Sequence, residues 1–550
     1  MFIKLRPVLL THRLLQALLS LLPIRKYALI FPLSRWRQAK PQSNCCPWTV
    51  AVFVVPATAA AIIDRMPQFD FDLAQAARQE MIDHGFNPDF SPAVEKQLAG
   101  LGDDPLPAPT GNVRDLRSLF WSSIDNDTSR DLDQIEVAER AAGSIRIRIG
   151  VADVDGDVAL GTPIDQHASS ETTSVYTGVR TFSMLPERLS TDLTSLNENV
   201  DRPAVVVELV VSGDGAISAP AVYRALVRNR AQLTYNGVGP WLEAKAAAPA
   251  KVAASSDLQA QLKLQNEAAQ ALRQARYRSG ALNFDRSEPE VVTSNGKVTG
   301  LTARQKNRAG ELIEDFMIAA NGVMARTLFS AGVSSIRRVV KTPERWDRIV
   351  ELAGRSGESL PAQADARALN VFLEKQRAKD AVHYEDLSLS VIKLMGPGEY
   401  VLVSRGETGE GHFGLAVHDY THSTAPNRRF ADLVTQRLIK AVLAHAAAPY
   451  ADGDLGAIAR NCTLKEDAAR AVERVMRKRV AAVALHDRIG STFPAVVTGV
   501  APKGTFVRVL NPPAEGMLVR GAQGVDVGDQ IKVTLLSTDP KHGYIDFGRA

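Results

Sequence analysis

The sequence predicts an α+β chain: mixed sheets packed with helices, then a small five-stranded OB-type barrel. Three observations carry this. Apolar residues alternate with period two through much of 119–227. Helical spacing takes over between Leu312 and residue 487. Five short apolar runs, separated by Gly and Pro turns, fill the last ~60 residues, as in a small barrel.

The elements follow in order. Residues 72–100 predict short helices, because Leu73, Ala76, Ala77 and Met81 share a helical face, and Asn87-Pro88 and Ser91-Pro92 interrupt it. A Pro-rich linker, Asp104–Thr110, comes next. Leu119–Ile124 predicts a strand leading into the polar loop Asp125–Gln134. Ile135–Ala138 and Ile145–Val154 predict a strand pair joined by Ala-Ala-Gly. Val205–Val211 and Ala216–Val227 predict a hairpin turned at Ser212–Gly215. Leu312, Ile313, Phe316, Met317, Ala320, Val323 and Met324 line one helix. Phe430, Leu433, Val434, Leu438, Ala441 and Val442 line a second, and residues 459–487 form a third, strongly charged one. The barrel strands are Phe493–Val500, Thr505–Leu510, Glu515–Val519, Gln530–Leu536 and Tyr544–Phe547.

A chain of 550 residues is too long for one ordinary domain. The expected division is 1–65 as a basic, apolar extension, 66–114 as a helical region and linker, 115–488 as the main domain, and 489–550 as the barrel. Apolar residues make up 45% and charged residues 23%, which excludes disorder over most of the length. Lys and Arg number 65 against 61 Asp and Glu, so any nucleic acid needs a local basic groove. Cys45, Cys46 and Cys462 have neither zinc-ligand spacing nor a disulfide framework, and a reducing, cytoplasmic setting is expected.

Residues 1–65 hold a single acidic residue, Asp64, and the apolar runs Leu14–Leu22 and Val50–Ile63. The longer run contains Pro56 and falls short of the ~20 residues a membrane helix needs. Three readings stay open: a start placed too far upstream, with Met66 the true start; a disordered or targeting extension; a membrane anchor. A membrane is not the expected partner.

The most informative stretch is Ser123-Ile-Asp-Asn-Asp-Thr-Ser-Arg-Asp-Leu-Asp-Gln134. It places Asp125, Asp127, Asp131 and Asp133 within nine residues, where like charges raise one another's pKa. Between two apolar strands, a divalent cation relieves that repulsion. Asp131 and Asp133 leave the same side of extended chain, and Asp125 ends the preceding strand. All-oxygen ligands suit Mg²⁺ or Mn²⁺ rather than zinc. An acidic turn or a calcium-type loop would have the same composition.

The Ile-Asp pair followed by an Asp-x-Asp group resembles the ribonuclease II (RNB) family. So do Thr172–Asn199 (TTSVYTGVRTFSMLPERLSTDLTSLNEN) and Gly411–Leu438 (GHFGLAVHDYTHSTAPNRRFADLVTQRL). The barrel is similar to the S1-like domain that ends these enzymes. The resemblance spans roughly residues 115–550. It implies an RNB-like catalytic domain at 115–488 and an S1-like barrel at 489–550. It also implies hydrolytic 3′→5′ exoribonuclease action on single-stranded RNA, with 5′-mononucleotides released and metal-assisted phosphodiester cleavage.

Carried onto this chain, the resemblance makes Asp133 the aspartate most critical to cleavage, with Asp131 and Arg428 as its catalytic companions. Asp125, Asp131, Asp133 and Gln134 would hold Mg²⁺, with Mn²⁺ as a substitute. Arg428 follows Pro426 at a helix start, where an arginine fork and free amides suit a phosphate. Tyr176 would stack on RNA and set the length of the end product. Tyr235 and Glu473 fall on positions used around the RNA. Phe506 and Arg508, with Phe493 and Lys503, mark the barrel face for stacking bases and holding phosphates. Each has a plain structural alternative: a core aromatic, a surface arginine, an ordinary helix residue. Arg429 and Arg437 read equally as backbone contacts and as solvated charges.

Two departures stand out. Gln134 occupies the place of the fourth family aspartate, so the site holds its metal less tightly unless Asp127 substitutes. Residues 66–114 read as helical, where many family members begin with two cold-shock barrels. The alternative is therefore a catalytically weakened or inactive RNA-binding protein on the same scaffold.

Rival classes lack their motifs. No Gly-x-x-x-x-Gly-Lys-Ser/Thr loop, Gly-x-Ser-x-Gly elbow or His-Glu-x-x-His helix is present, and no nucleotide cofactor is expected. His412, His418 and His422 read as loop and strand histidines beside an RNA channel, with a metal site as the other reading. A monomer is expected.

Overall fold

The β3–β4 hairpin illustrates how local sequence builds this chain. Strands β3 (Gln134–Ala141) and β4 (Ser144–Ala152) pair antiparallel from Gln134↔Val151 to Ala141↔Ser144. Ala142 and Gly143 carry φ of 44° and 82°, the mirror-image two-residue turn that matches strand twist. The computed structural model describes residues 71–102, 112–284, 288–294, 297–304, 306–380 and 383–550. These belong to one compact unit. The expectations for 1–65, Met66, Cys45, Cys46 and the linker Asp104–Thr110 lie outside the described residues.

The main sheet adds β1 (Val113–Asp115), β2 (Trp121–Asp125), β7 (Asp201–Val211) and β8 (Ile217–Thr234), in the order β1-β8-β2-β3-β4-β7. The small pair β5 (Val175–Tyr176) and β6 (Thr181–Phe182) lies between β4 and β7 in the chain. β8 is long enough to pair with β7 along its first part and with β2 along its last, so β8-β2-β3-β4-β7 returns to β8. The expected hairpin at Ser212–Gly215 is present, and its second strand runs on to Thr234, where it reaches Asp125.

Helices clothe the sheet. Asp72 caps α1 (Leu73–Asp83), and Ser91, with Pro92 at the first turn, caps α2 (Pro92–Gly100). Then come α3 (Pro163–Glu171), α4 (Tyr235–Leu242), α5 (Ser256–Arg278) and α6 (Arg308–Ser330). Beyond the pair β9 (Glu288–Ser294) and β10 (Lys297–Arg304) lie β11 (Ser335–Val339), α7 (Trp346–Arg355), α8 (Ala366–Lys379) and α9 (Tyr384–Met395). The domain ends with β12 (Glu399–Val403), α10 (Phe430–Leu443) and α11 (Asp452–Leu485). α11 begins seven residues before the expected start at 459. Trp121, Ile135, Ile147, Ile149, Phe316 and Phe430 anchor the main core, each contributing ~1.5–3 kcal/mol on burial.

The α+β expectation holds, and so does the barrel. β13 (Thr492–Ala501), β14 (Gly504–Leu510), β15 (Pro513–Arg520), β16 (Gln530–Asp539) and β17 (Tyr544–Arg549) close in the order β13-β14-β15-β17-β16. Phe493 is 2% exposed and packs inside this barrel, which removes it from the expected base-stacking face. Alternation along β13 points it to the closed interior. Among the described residues, no helix is long and apolar enough to cross a membrane.

Candidate active site

The chain brings two distant segments together. Thr172–Tyr176 runs beside the start of α10: Phe430 N donates to Thr172 O at 2.8 Å, Ser174 N donates to Arg428 O at 3.0 Å, and Thr173 bridges Arg429. This fixes Tyr176 and Arg428 against each other. From the sheet, Asp133 arrives just before β3. Arg428 Nε donates to Asp133 Oδ2 at 2.8 Å, and Asn427 N donates to Asp133 Oδ1 at 3.3 Å. Asp133 is 2% exposed, while the Arg428 side chain keeps 39% exposure. A buried carboxylate thus holds one edge of a guanidinium that still faces solvent.

Electrostatics tie the remaining residues to this pair. Burial pushes the Asp133 carboxyl up to about 6, against the pull of Arg428. Burial also raises Asp131, and Asp125 adds to the shift. The Tyr176 hydroxyl is raised by burial and senses Arg428, Asp131, Asp133 and Asp125, so all five groups share one site. The Tyr176 side remains 44% exposed, available to stack. Its backbone N donates to Glu473 Oε1 at 3.1 Å, so Glu473, on α11, holds the Tyr176 strand in place.

Tyr235 opens α4 directly after Thr234, the cross-strand partner of Asp125, and its carbonyl accepts from Asn307 Nδ2 at 3.0 Å. It therefore lies beside the acidic loop. Phe506 and Arg508 sit on the barrel strand β14. Arg508, expected on the RNA-binding face, is engaged by Glu385 at 2.6 Å and Asp386 at 3.2 Å, from α9. Arg429 and Arg437 are not solvated charges either. Arg429 grips Asp432 through two bonds of 2.7 and 2.8 Å. Arg437 joins Asp155, Asp165 and Tyr450 in a buried network. The partner of Arg429 is local, three residues along α10, whereas those of Arg437 at Asp155 and Asp165 are brought to it by the fold.

The helix start also differs from expectation. The amides of Arg428 and Arg429 donate to Ala425 O, and those of Asn427 and Phe430 are taken by Asp133 and Thr172. The amides of residues 427–430 are therefore all engaged within the chain. The three histidines are not grouped as metal ligands: among the described residues, no three or more His, Cys, Asp or Glu side chains are placed together to hold one. His422 Nδ1 meets the Tyr400 hydroxyl at 2.8 Å, and His412 Nδ1 accepts from Leu415 N at 3.2 Å.

The aspartates of the loop do not close into a three-carboxylate group among the described residues either, but their all-oxygen chemistry is that of a hard divalent cation. Asp133 is turned to Arg428, and Asp127 is held by Asn236 at 2.5 Å. That leaves the carboxylates of Asp125 and Asp131 with the Gln134 amide, an all-oxygen set. Magnesium commonly takes one or two carboxylates and fills its other positions with water and phosphate oxygens. A further buried acid stands on β3: Glu136 is 0% exposed, and neither carboxylate oxygen has a hydrogen-bond partner. The sequence reading missed it, although an acid between Ile135 and Val137 in an apolar strand was the available signal.

Fold and site together define a ribonuclease II-type chain: an α+β domain centred on carboxylates and an arginine, followed by an OB-type barrel. The chain belongs to the RNB family. The family model of the RNB domain matches residues 113–445, and that of the RNase II-type exonuclease C-terminal S1 domain matches residues 491–550. Ribonuclease R of Escherichia coli K12 is 30% identical over 444 residues, covering 78% of this chain and 53% of the relative. Ribonuclease R of Thermotoga maritima is 29% identical over 470 residues, covering 79% and 64%. The chain thus spans little more than half the length of such relatives. Among solved structures, Mycoplasma genitalium RNase R in complex with ribose methylated single-stranded RNA aligns with TM-score 0.77 at 22% identity, covering 87% of this chain and 78% of that one. Yeast Ssd1, described as a pseudonuclease, aligns with TM-score 0.63 at 16% identity, covering 86% and 57%. Both likenesses concern the fold.

Proposed function

We propose that this chain is a hydrolytic 3′→5′ exoribonuclease that degrades single-stranded RNA to 5′-mononucleotides. The observation that carries the reading is the Asp133–Arg428 pair beside Tyr176. It combines a phosphate-sized cation, a buried carboxylate that aims it, and an exposed ring on which a base can stack. Relatives named ribonuclease R support the same activity. The proposed division is a catalytic domain over 115–488 and an RNA-binding barrel over 489–550, in a cytoplasmic monomer.

In this reading Arg428 binds the scissile phosphate and stabilises charge on its oxygens as they become more negative. Asp133 keeps the guanidinium in orientation. Tyr176 stacks on the terminal bases, and Glu473 holds the Tyr176 backbone. Tyr235 and Phe506 are further RNA contacts, whereas Arg508 works by docking the barrel. A Mg²⁺ or Mn²⁺ ion held by Asp125, Asp131 and the Gln134 amide would activate the attacking water and stabilise the leaving oxygen.

The test is 5′-labelled single-stranded RNA with Mg²⁺, resolved on a gel. A short labelled remnant that vanishes with Asp133→Asn supports the reading; undiminished cleavage by that variant sinks it. One observation favours a second reading, an RNA-binding scaffold without catalysis. Gln134 brings no charge, and Asp133 is already engaged by Arg428. Intact RNA with a clear binding shift, and cleavage gained in Gln134→Asp, would establish it.

A further inference from the structure

His383 stands between the end of α8 and the first turn of α9, and its ring reaches the barrel. Nδ1 lies 2.6 Å from Asp380 Oδ2, and Nε2 lies 2.9 Å from the carbonyl oxygen of Gly528. An ionised carboxylate and a carbonyl only accept hydrogen bonds. A neutral imidazole has one N–H and one lone pair, so it satisfies one of these partners and sets its lone pair against the other. The imidazolium donates to both. The geometry therefore calls for the charged ring. The His383 backbone N donates to Asp380 Oδ1 at 3.2 Å, which keeps that carboxylate beside the ring. On the other side, Gly528 belongs to the turn between β15 and β16. Its N donates to Val497 O at 2.8 Å, so the carbonyl that His383 meets is fixed to the barrel.

The surroundings of the ring are mainly acidic. Glu385 and Asp386 lie in the first turn of α9, Glu515 on β15, and Asp526 and Asp529 in the turn that carries Gly528. The cations are Arg508 on β14, engaged by Glu385 and Asp386, and Arg377 and Lys379 at the end of α8. Arg377 lies over the Tyr384 ring, 5.9 Å from its centroid. The bond to Asp380 raises the His383 pKa above the ordinary histidine value. Burial opposes this, and the Gly528 carbonyl and the charges of Asp380 and Asp386 add to the rise. Asp386 thus faces both His383 and Arg508, so two contacts between the barrel and α9 meet at one acid. The barrel also shares a core with α11, where Val472, Met476 and Val480 pack in one cluster with Val497, Val533 and Phe547.

We propose that His383 is a proton-operated clamp between the main domain and the barrel. Protonated, it bridges Asp380 and Gly528 and holds the β15–β16 turn against α9. When the proton leaves to solvent, one of the two bonds is lost and the turn comes away, while the packing on α11 keeps the barrel in place. The sign follows from the raised folded value. The clamp is fully closed below the ordinary histidine pKa of about 6.5 and is lost as pH rises through the higher value of the folded chain. A released turn should loosen the grip of the barrel on RNA, a consequence that rests on the function proposed above.

The test follows His383 in the full chain by NMR of ring-labelled histidine, from about pH 5.5 to about 9. Its signal is the one missing from His383→Gln. The ring is expected to titrate above the ordinary histidine value. Across that midpoint, hydrogen exchange at the Gly528 and Asp529 amides, corrected for its intrinsic pH dependence, should speed up by about fivefold, the difference between a charged and a neutral hydrogen bond. Asp380→Asn should move the titration and the exchange step together to lower pH. His383→Gln keeps one donor and does not titrate, so it should show no step. RNA affinity, read in EDTA by the anisotropy of a labelled oligonucleotide, should fall across the same step in wild type and not in His383→Gln. If His383→Gln does not fold, the joint shift in Asp380→Asn decides. A His383 midpoint at or below the ordinary value overturns the clamp, and so does an exchange step that persists in His383→Gln or stays put in Asp380→Asn. An exchange step with unchanged RNA affinity overturns the consequence for RNA alone. Absence of RNA binding at any pH overturns the proposed function and leaves the clamp standing.

Discussion

Arg428 and Asp133 lie 295 positions apart in the chain, yet the guanidinium Nε donates to the carboxylate at 2.8 Å. Arg428→Ala is expected to lower kcat by ~10²–10³-fold, the usual cost of losing one donor to a developing oxyanion. Arg428→Lys should recover little of this, because an ammonium cannot both meet Asp133 and fork onto a phosphate. Steady-state rates on a labelled oligonucleotide decide it. A lysine variant with full activity would show that only charge matters.

Tyr176 and Glu473 form a second linked pair through the Tyr176 backbone. Tyr176→Ala should lengthen the labelled end product, since the final bases lose their stacking surface, at ~1–3 kcal/mol per base. Glu473→Ala should shift the product in the same direction but less, because it loosens the strand without removing the ring. Product lengths on a sequencing gel check both. An unchanged remnant in Tyr176→Ala would remove the tyrosine from the RNA path.

Two histidines set a pH limit. Burial pushes His412 down to about 4 and lowers His422 well below its usual range. The unfolded chain protonates both near pH 6.5, whereas the folded chain resists. Their contribution to stability is therefore fully present above about pH 6.5 and is lost as pH falls toward 4. Melting temperatures over this window should decline on acidification, and His412→Gln should flatten the decline. An equal slope in that variant would assign the acid sensitivity elsewhere.

Arg508 docks the barrel onto α9 through Glu385 and Asp386. Arg508→Ala should lower the melting temperature while leaving the salt dependence of RNA binding unchanged. Lys503, exposed on the barrel, should do the reverse: Lys503→Ala reduces the slope of log K against log salt by ~1 without a stability change. A reduced slope in Arg508→Ala would return that arginine to the RNA-binding face.

Gln134 predicts a metal requirement above the ordinary. EDTA should stop cleavage, and Gln134→Asp should lower the Mg²⁺ concentration for half-maximal rate, since a charged ligand replaces a neutral one. A titration of rate against Mg²⁺ checks this. An unchanged midpoint would place position 134 outside the metal's ligand set.

Most of the architecture could be read from the chain itself. The alternation in β3 and β4, the apolar faces of α6 and α10 and the turn-punctuated barrel strands are short-range patterns, set by the periods of helix and strand. The acidic loop, Tyr176, Glu473 and Arg428 could also be picked out, because ordered motifs mark them. Their partnerships could not. That Asp133 spends its carboxylate on Arg428, that Arg508 faces α9, that Phe493 turns inward and that Glu136 is buried without a partner depend on which segments meet across hundreds of residues. Local pattern determines what each strand or helix can be. Contact, burial and the loss of water around each charge exist only once the chain has closed on itself, and these decide which groups bind RNA, which hold metal and which merely hold one another.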